Sequence, residues 1–455
     1  MTSATATSTT ATNTTPTTEG SDASRSTRTG FLVTWVGAVV VAIVSTALLW
    51  YRLGPKTRGT AWAEDSGRFL NERLQLGEVP SLLHPYEGYL HLVPRIVVDL
   101  AVRFFPIESY AVAVSAMSCA VVGLVGAAVF VLARDVVRSA PLRALLAVVP
   151  ALTPLVPVEI GGNTANLHWF LLMLAPWVFL TKPRSWWSSA VLTVIALLIT
   201  LTEIQAAMFL PLFLRHVRSL RSLPPLVAGI VGAGAQLLTT VLYPRTPPGS
   251  GGSVGGLSDL FAGFAAQPVA GSWDADVRAI GLAVEDQGWW IVVVPAVVLY
   301  AVLVLAFVRA SGGARWILAA LAVSPLVVWF AALLLNHVMT NWLTFASINP
   351  YRYAAAASAI LIAGAVVAAD VFIGRGRIVF PALGWLLVLL VVAAAVLNVH
   401  TGTRRDDPGV PAWSTQVQQQ RPACEANPDG TAVVRAAPGL PKWDALIPCV
   451  LVDGR

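Results

Sequence analysis

An all-α protein that crosses a membrane about eleven times is the fold class that this sequence predicts. Hydrophobic residues make up 56% of its 455 positions and charged residues only 12%, about half of the charged fraction of a soluble domain. The apolar residues form long runs separated by short charged segments. Sixteen Trp residues suit the aromatic belts found at membrane interfaces. The predicted localisation is the plasma membrane, as a multi-pass protein.

The formal charge of +6 does not indicate a nucleic-acid partner, because the basic residues are scattered in short clusters between the apolar runs. The sequence also has no zinc-type spacing of Cys residues and no glycine loop that could cradle a phosphate. We therefore expect membrane lipid, and no nucleic acid, among its partners.

The apolar runs indicate where the membrane-spanning helices lie in the sequence. Residues 1–30 form a Thr/Ser-rich segment that we expect to be a disordered cytoplasmic tail. The first run, 31–51, would be about 31 Å long as a helix, which is enough to cross the hydrocarbon core. Further spans are predicted near 109–133, 142–158, 164–181, 188–203, 205–214, 224–243, 289–308, 316–335, 352–372 and 379–398. The run 205–214 is short, so whether it crosses fully is open at this point.

The charges of the loops predict how the chain enters the membrane. With a cytoplasmic N-terminus, the inside loops are rich in Arg and Lys and nearly free of acidic residues, which is the positive-inside pattern. Residues 31–398 then form the transmembrane domain, with large extracytoplasmic loops at 52–108 and 244–288. The second of these loops is either a lid over a substrate or a plain linker. Residues 399–455 form an extracytoplasmic C-terminal tail.

Two cysteines of this tail, Cys424 and Cys449, are expected to form a disulfide, because the tail faces an oxidising compartment in this topology. Such a bond would stabilise the tail by roughly 3 kcal/mol. Two unrelated thiols are the alternative. The tail also contains two strand-like segments, TAVVRAAP and ALIPCVLV, and is expected to rest on the membrane domain.

The first external loop begins with two adjacent acids, Glu64 and Asp65. The stretch SGRFLNERLQL predicts a short helix directly after them, ended by Gly77. One acid could therefore simply cap this helix, worth about 1 kcal/mol. The alternative is that the pair has a chemical role.

A second helix of this loop is predicted in HPYEGYLHLVPRIVVDLAVRFFP, starting near Pro94, where charged residues recur every four positions beside an apolar stripe. The charged positions are Glu87, His91, Arg95, Asp99 and Arg103. They are either ordinary i,i+4 ion pairs on a wet face or, for His91 and Arg95, functional groups near the acidic pair.

Further polar residues fall at the outer ends of the predicted spans. They are Glu159, Asn163, Asn166, His168, Glu203, Asn336, His337, Asn341, Tyr351 and Arg352. Each one alone is more typical of a loop or a cap. Their concentration at one level favours a site, because ionisable groups near lipid are costly and tend to mark cavities.

An N-in first span followed by a large external loop that begins with an acidic pair resembles the GT-C superfamily of integral membrane glycosyltransferases. The stretch WAEDSGRFL…HPYEGYLHLVPR, which begins at Trp62, is similar to actinobacterial membrane proteins of this type. The resemblance implies transfer of a sugar from a polyprenyl-phosphate donor to an acceptor on the outer side of the membrane. It also implies that an acid of the first external loop is the catalytic base or helps to bind a metal, and only Glu64 and Asp65 match that position.

The chemistry of such a transfer needs a carboxylate that accepts the proton of the attacking hydroxyl, which gives inversion at the sugar carbon. It also needs cations that balance the departing phosphate. We expect Asp65, the residue type that the family usually uses, or Glu64 to be catalytic. The expected substrate-binding residues are His91, Arg95, His168, Glu203 and Arg352. No cofactor is certain, and a divalent cation, Mg²⁺ or Mn²⁺, is left open.

The predicted function is therefore a polyprenyl-phosphate-dependent glycosyltransferase whose acceptor is a cell-envelope glycan or lipid. A transporter or flippase of a lipid-linked sugar is the main alternative. Against it, the two halves show no internal repeat and the middles of the spans are almost free of charge. A non-catalytic protein of envelope assembly is the third hypothesis.

Overall fold

Helices make up most of the described chain, which confirms the predicted all-α class. The computed structural model describes residues 19–245, 256–335, 351–374 and 378–452, with side chains from residue 33 onward. The α-helices are α1 (Glu19–Arg58), α2 (Asn71–Leu76), α3 (Glu78–Leu82), α4 (Leu92–Phe104), α5 (Tyr110–Leu132), α6 (Ala140–Leu152), α7 (Leu167–Leu180), α8 (Trp186–Thr200), α9 (Leu223–Leu242), α10 (Leu257–Phe264), α11 (Val277–Gln287), α12 (Trp290–Arg309), α13 (Gly313–Leu335), α14 (Tyr351–Ile373), α15 (Val379–Leu397), α16 (Trp413–Ala426) and α17 (Cys449–Val452). Strands β1 (Thr431–Val434) and β2 (Ala445–Pro448) pair antiparallel.

Eight helical segments of the described ranges are long and apolar enough to cross a membrane. They are Val33–Arg58, Ile107–Asp135, Ala140–Val158, Leu220–Leu242, Trp290–Arg309, Gly313–Leu335, Tyr351–Ile373 and Val379–Leu397. The other predicted spans correspond to shorter apolar helices, namely α7, α8 and the 3₁₀-helix Ile204–Arg215. Every predicted run is thus helical, but the count of eleven crossings and the N-in orientation stay predictions.

Helix α1 begins earlier in the chain than the predicted first span. It starts at Glu19, inside the segment 1–30, and it is interrupted at Gly54, whose φ is +68°. Residues 1–18 lie outside the described residues, so the disorder expected for this segment stays a prediction.

Helix α14 lies at the centre of the bundle, and Arg352 lies in its first turn. Almost all of its side chains from Tyr353 to Phe372 are buried. Its first half is rich in Ala, and small side chains let neighbouring helices approach closely. Because α14 is enclosed in this way, the position of Arg352 in its first turn is set by the whole bundle.

The first external loop folds into the short helices that the sequence predicts. A single π-turn, Asp65–Leu70, continues directly into α2, and Gly77 ends α2 with φ +85°, the left-handed conformation that favours glycine. Helix α4 turns Val93, Val97 and Val98 into the interior. The two predicted helices of this loop are therefore confirmed.

The C-terminal segment packs on the first loop and shares an apolar core with it. Ala437 exchanges two backbone hydrogen bonds with the loop, donating to Ala61 at 3.0 Å and accepting from Ala63 at 2.8 Å. The indole N–H of Trp413 donates to the carbonyl oxygen of Ile107 at 2.7 Å. As the sequence predicts, the tail contains two short strands and rests on the rest of the fold.

A disulfide between Cys424 and Cys449 joins α16 to α17 within this tail. Both cysteines are buried in the core that the tail shares with the first loop. Cys119, the free cysteine among the described residues, is buried in α5.

We expect Gly67→Ala to loosen the tail from the first loop. A Cβ atom at residue 67 would lie 2.4 Å from the Cα of Trp443 and 2.7 Å from its carbonyl carbon, so backbone would have to move. Overpacking of this kind costs about 1–3 kcal/mol, which exceeds the ~1 kcal/mol that a helix gains when Ala replaces Gly. The unfolding temperature in detergent should fall, and amide exchange in β1 and β2 should accelerate.

The matched control is Gly402→Ala, because residue 402 belongs to the same tail and has open space around its Cα. It should leave both measurements unchanged. Unaltered protection of β1 and β2 in Gly67→Ala would contradict the close contact with Trp443.

Candidate functional site

Most of the polar residues expected to be functional converge on one cavity of about 420 Å³. It lies between the first external loop, the helix bundle and the tail, and its volume is typical of a small-ligand site. Its acidic residues are Glu64, Glu87 and Glu203, and its basic residues are Arg245, Arg352 and Lys442. Its aromatic wall includes Phe69, Tyr86, Tyr89, Trp169 and Trp443.

Asp65, the expected base, does not line this cavity. Its side chain is fully buried and accepts three hydrogen bonds: from the backbone N–H of Thr164 at 3.1 Å, from the Thr164 hydroxyl at 2.7 Å and from the N–H of Ala165 at 2.8 Å. Burial raises the pKa of Asp65 to about 6, and these hydrogen bonds and the charge of Arg405 act in the opposite direction. Its oxygens are occupied by these three donors, and of the two adjacent acids only Glu64 lines the cavity.

Glu64 faces the cavity and is not a helix cap. It occupies the N-cap position of the π-turn but makes no capping hydrogen bond with its side chain. Its side chain is only 14% exposed and lies 3.8 Å from a guanidinium nitrogen of Arg352. Burial raises the pKa of Glu64 above its ordinary 4.5, and the positive charges of Arg352 and His168 partly oppose this. The capping interpretation is therefore wrong for both acids.

Arg352 stands between two carboxylates without a close bond to either. Its Nη1 lies 3.8 Å from Glu64 and 4.0 Å from Glu159, and both distances exceed that of a hydrogen bond. Glu159 is instead held by Arg404 of the tail at 3.0 Å. Within the described residues, the guanidinium of Arg352 thus keeps donors that face the cavity.

A two-residue turn shapes the cavity wall between Tyr86 and Tyr89, whose backbone groups pair across it at 3.0 and 3.2 Å. Both central residues have positive φ, +50° for Glu87 and +80° for Gly88, as a type I′ turn requires. A positive φ is uncommon for glutamate and costs free energy. The turn is fixed to α9, since the Thr240 hydroxyl donates to the Gly88 carbonyl at 2.8 Å, and it aims Glu87 at Arg245, 3.0 Å away.

Two buried histidines line the same cavity in different electrostatic settings. His168 Nδ1 makes a very short hydrogen bond with Glu203, whose other oxygen accepts the N–H of Gln205 at 2.8 Å. His91 stacks on Tyr89 with ring centroids 4.0 Å apart. Its Nδ1 has no hydrogen-bond partner among the described residues. Burial holds the pKa of His91 well below its ordinary 6.5, so this ring is neutral.

Arg95, also expected to bind substrate, lies behind the cavity wall rather than in it. It is buried, pairs with Glu72 at 2.6 Å and stacks over the ring of Phe69, 4.9 Å from its centroid. Phe69 separates it from the cavity, so Arg95 supports the wall and is not placed to touch a ligand. The predicted i,i+4 pairing of Arg95 with Asp99 is wrong as well, because Asp99 pairs with Arg73.

Five of the expected site residues thus line the cavity, and two do not. Those that line the cavity are Glu64, His91, His168, Glu203 and Arg352. Those that do not are Asp65 and Arg95. Asn336, His337 and Asn341 lie outside the described residues.

Sequence reasoning missed two cations of the cavity and the aromatic residue beside one of them. Arg245 lies at the start of the Pro/Gly-rich part of loop 244–288. In the sequence it is a single Arg after a predicted span, and that pattern alone does not indicate a site. Lys442 and Trp443 belong to the tail, and Lys442 Nζ lies 4.9 Å from the Trp443 ring centroid. No local pattern links these two residues to a loop that lies 377 positions away in the chain.

The described part of the chain contains no set of side chains placed to bind a divalent metal ion. No group of three or more His, Cys, Asp and Glu side chains there is arranged to hold an ion. The acids of the cavity do not cluster in the way that Mg²⁺ or Mn²⁺ would require.

Comparison with protein-family models, with curated proteins and with solved structures found no match for this chain.

The two neighbouring acids should respond oppositely to loss of charge. Asp65→Asn should destabilise the protein by about 2 kcal/mol, because an amide oxygen cannot accept all three hydrogen bonds and its NH₂ group would face an N–H donor. Glu64→Gln should keep or raise the unfolding temperature, because burial already disfavours the charge at residue 64. Thermal unfolding of both variants in one detergent measures this. Equal unfolding temperatures would contradict the anchoring role of Asp65.

Proposed function

We propose that the chain is a membrane glycosyltransferase of the GT-C type. It transfers a sugar from a polyprenyl-phosphate donor to a cell-envelope glycan or lipid on the extracytoplasmic side of the membrane. The observation that carries the proposal is a buried carboxylate, Glu64, beside the loosely paired guanidinium of Arg352 on the wall of one cavity. A base and a phosphate-binding cation are the two groups that such a transfer needs.

In this mechanism Glu64 accepts the proton of the acceptor hydroxyl as that oxygen forms a bond with the anomeric carbon. The bond between the anomeric carbon and the phosphate oxygen breaks on the opposite face, and the phosphate leaves with the electron pair. The result is inversion. The raised pKa of Glu64 suits this step, because a carboxylate whose pKa lies nearer to the working pH is a stronger base.

The cavity has cations to balance the charge that grows on the departing phosphate. Arg352 makes only long ion pairs, and Lys442 rests on an aromatic ring rather than on a carboxylate. Both are directed at the cavity. Fixed cations stabilise a developing anion more strongly in a buried site than in water.

The remaining walls suit a sugar and a lipid chain. Tyr89, Trp169 and Trp443 offer flat apolar faces with polar edges, the kind of surface on which sugar rings pack. Ala332 and Leu335 at the end of α13 add an apolar side to the cavity. Because α13 is long and apolar enough to cross the membrane, a lipid tail could leave the cavity along it.

The disulfide supports the extracytoplasmic placement of this chemistry. Disulfides persist in oxidising compartments and are rare in the cytosol. The tail that contains Cys424 and Cys449 also contributes Lys442 and Trp443 to the cavity wall. The cavity and the disulfide therefore belong to the same side of the membrane.

The test of the proposed base is Glu64→Gln in membranes supplied with polyprenyl-phosphate sugar. Loss of a general base lowers turnover by about 10²–10⁴-fold, and we expect a decrease in this range without a fall in unfolding temperature. Transfer of radiolabelled sugar to the acceptor fraction measures it.

Glu108→Gln is the matched control. Glu108 belongs to the same loop but pairs with Arg421 away from the cavity, so this variant should transfer sugar at the normal rate. Full activity of Glu64→Gln would remove Glu64 from the mechanism. Transport of the lipid-linked sugar across vesicles without any covalent product would favour the flippase hypothesis instead.

The rate of transfer should fall in acid as Glu64 takes up a proton, with a midpoint above 4.5 because burial raises its pKa. The charge of Arg352 favours the ionised form of Glu64, so Arg352→Gln should move this midpoint to higher pH. Profiles of log kcat/KM against pH for the two proteins measure the shift. A midpoint that does not move would show that Arg352 is not coupled to the catalytic proton.

A further inference from the structure

The pair formed by His168 and Glu203 is built as one rigid unit. His168 lies in the first turn of α7, and Glu203 lies three residues after the end of α8, as the N-cap of the 3₁₀-helix Ile204–Arg215. One oxygen of Glu203 bonds His168 Nδ1 and the other accepts the backbone N–H of Gln205 at the start of the 3₁₀-helix. Both side chains are buried, and both line the cavity. The carboxylate of Glu203 therefore fixes the orientation of the His168 imidazole.

The arrangement leaves one ring nitrogen of His168 for a ligand. Nδ1 is occupied by Glu203, and Nε2 has no hydrogen-bond partner among the described residues. A carboxylate behind a histidine holds the ring in place and balances the charge of an imidazolium. A protonated ring held in this way donates a charge-assisted hydrogen bond from Nε2 into the cavity.

The second histidine of the cavity cannot take this role. The His91 ring lies 6.2 Å from that of His168 and has no carboxylate partner. Burial, together with the charges of His168 and Arg95, keeps the pKa of His91 well below its ordinary value. Of the two rings, His168 is the one that a carboxylate contacts among the described residues.

The surroundings of the pair supply an aromatic face and a further cation for an anionic ligand. Tyr89 packs beside His168, with ring centroids 6.3 Å apart, and Arg245 lines the same cavity. The pair is held by α7 and α8, within the bundle. Glu64, in contrast, lies where the first loop meets Trp443 of the tail. The pair and Glu64 are therefore held by different elements of the fold.

We infer that His168 and Glu203 form a phosphate-binding unit, in which Nε2–H of His168 donates to a phosphate oxygen of an isoprenoid monophosphate and Glu203 positions the ring. This inference rests on the proposed function and assigns the donor phosphate to one wall of the site. His168 contacts the ligand, whereas Glu203 acts through His168. The isoprenoid phosphate released by the reaction carries the same group, so it binds at the same place.

The experiment measures binding rather than turnover. The full-length protein in detergent is titrated with farnesyl phosphate and with farnesol, and the fluorescence of its Trp residues is followed. The wild type should prefer the phosphate over the alcohol, and His168→Gln and Glu203→Gln should each lower this preference by about tenfold or more. Affinity for farnesol should not change. His84→Gln, at an exposed histidine outside the cavity, should keep the full preference.

Several results would overturn the inference. An unchanged preference for the phosphate in His168→Gln would exclude His168 as the donor. Equal loss of both ligands in the variants would show that the pair only maintains the fold. Inorganic phosphate that binds as tightly as farnesyl phosphate would identify a free anion, not an isoprenoid-linked one, as the ligand.

A failure of the phosphate site at His168 can be distinguished from a failure of Glu64 as the proposed base. Glu64→Gln should keep the preference for farnesyl phosphate although it loses transfer. If Glu64→Gln transfers sugar normally while His168→Gln loses the preference, the assignment of the base fails and the phosphate site stands.

Discussion

The carboxylate of Asp65 holds the turn that precedes α7, and the cavity depends on this junction. It bonds the N–H groups of Thr164 and Ala165 from the side of the first loop. From the other side, Arg405 donates to the carbonyl oxygens of Gly161 and Gly162, at 2.8 Å each. Buried irregular backbone is stable only when its polar groups have partners, and here both partners are charged side chains. The turn leads directly into the first turn of α7, and Glu64 precedes Asp65, so one junction fixes both walls of the cavity.

Glu64 and Asp65 show how two adjacent acids acquire different roles from their surroundings. Both are buried, and burial raises the pKa of each. Asp65 satisfies its oxygens with three donors of the protein and has none left for a ligand. The side chain of Glu64 accepts no hydrogen bond from another side chain of the described residues, since its distance to Arg352 is too long for one. A carboxylate that the fold leaves unsatisfied is the one that can exchange a proton with a substrate.

The sequence predicted what depends on local patterns. Apolar runs located the helices, and Gly77 located the end of α2. The sequence could not show that Asp65 lies outside the cavity, because its partners, Thr164 and Ala165, lie about a hundred positions away, and long-range packing leaves no local pattern. For the same reason Arg95 could not be recognised as a residue behind Phe69, nor Lys442 as part of the site. Charged residues at one membrane level indicated where a cavity lies, but not which of them face it.

The contact between the tail and the first loop also orders events in time. Ser66 and Trp443 touch although 377 positions separate them, so ribosomal synthesis of every bundle helix after α1 comes between the two partners. During that interval Trp62 and Phe69, which the finished protein buries, lack the covering that the tail supplies. A nascent chain thus exposes an incomplete apolar pocket until its C-terminal segment has been synthesised and has packed over it. Slow or failed docking of that segment would leave a species prone to aggregation, and binding competence would arise late, in a single step.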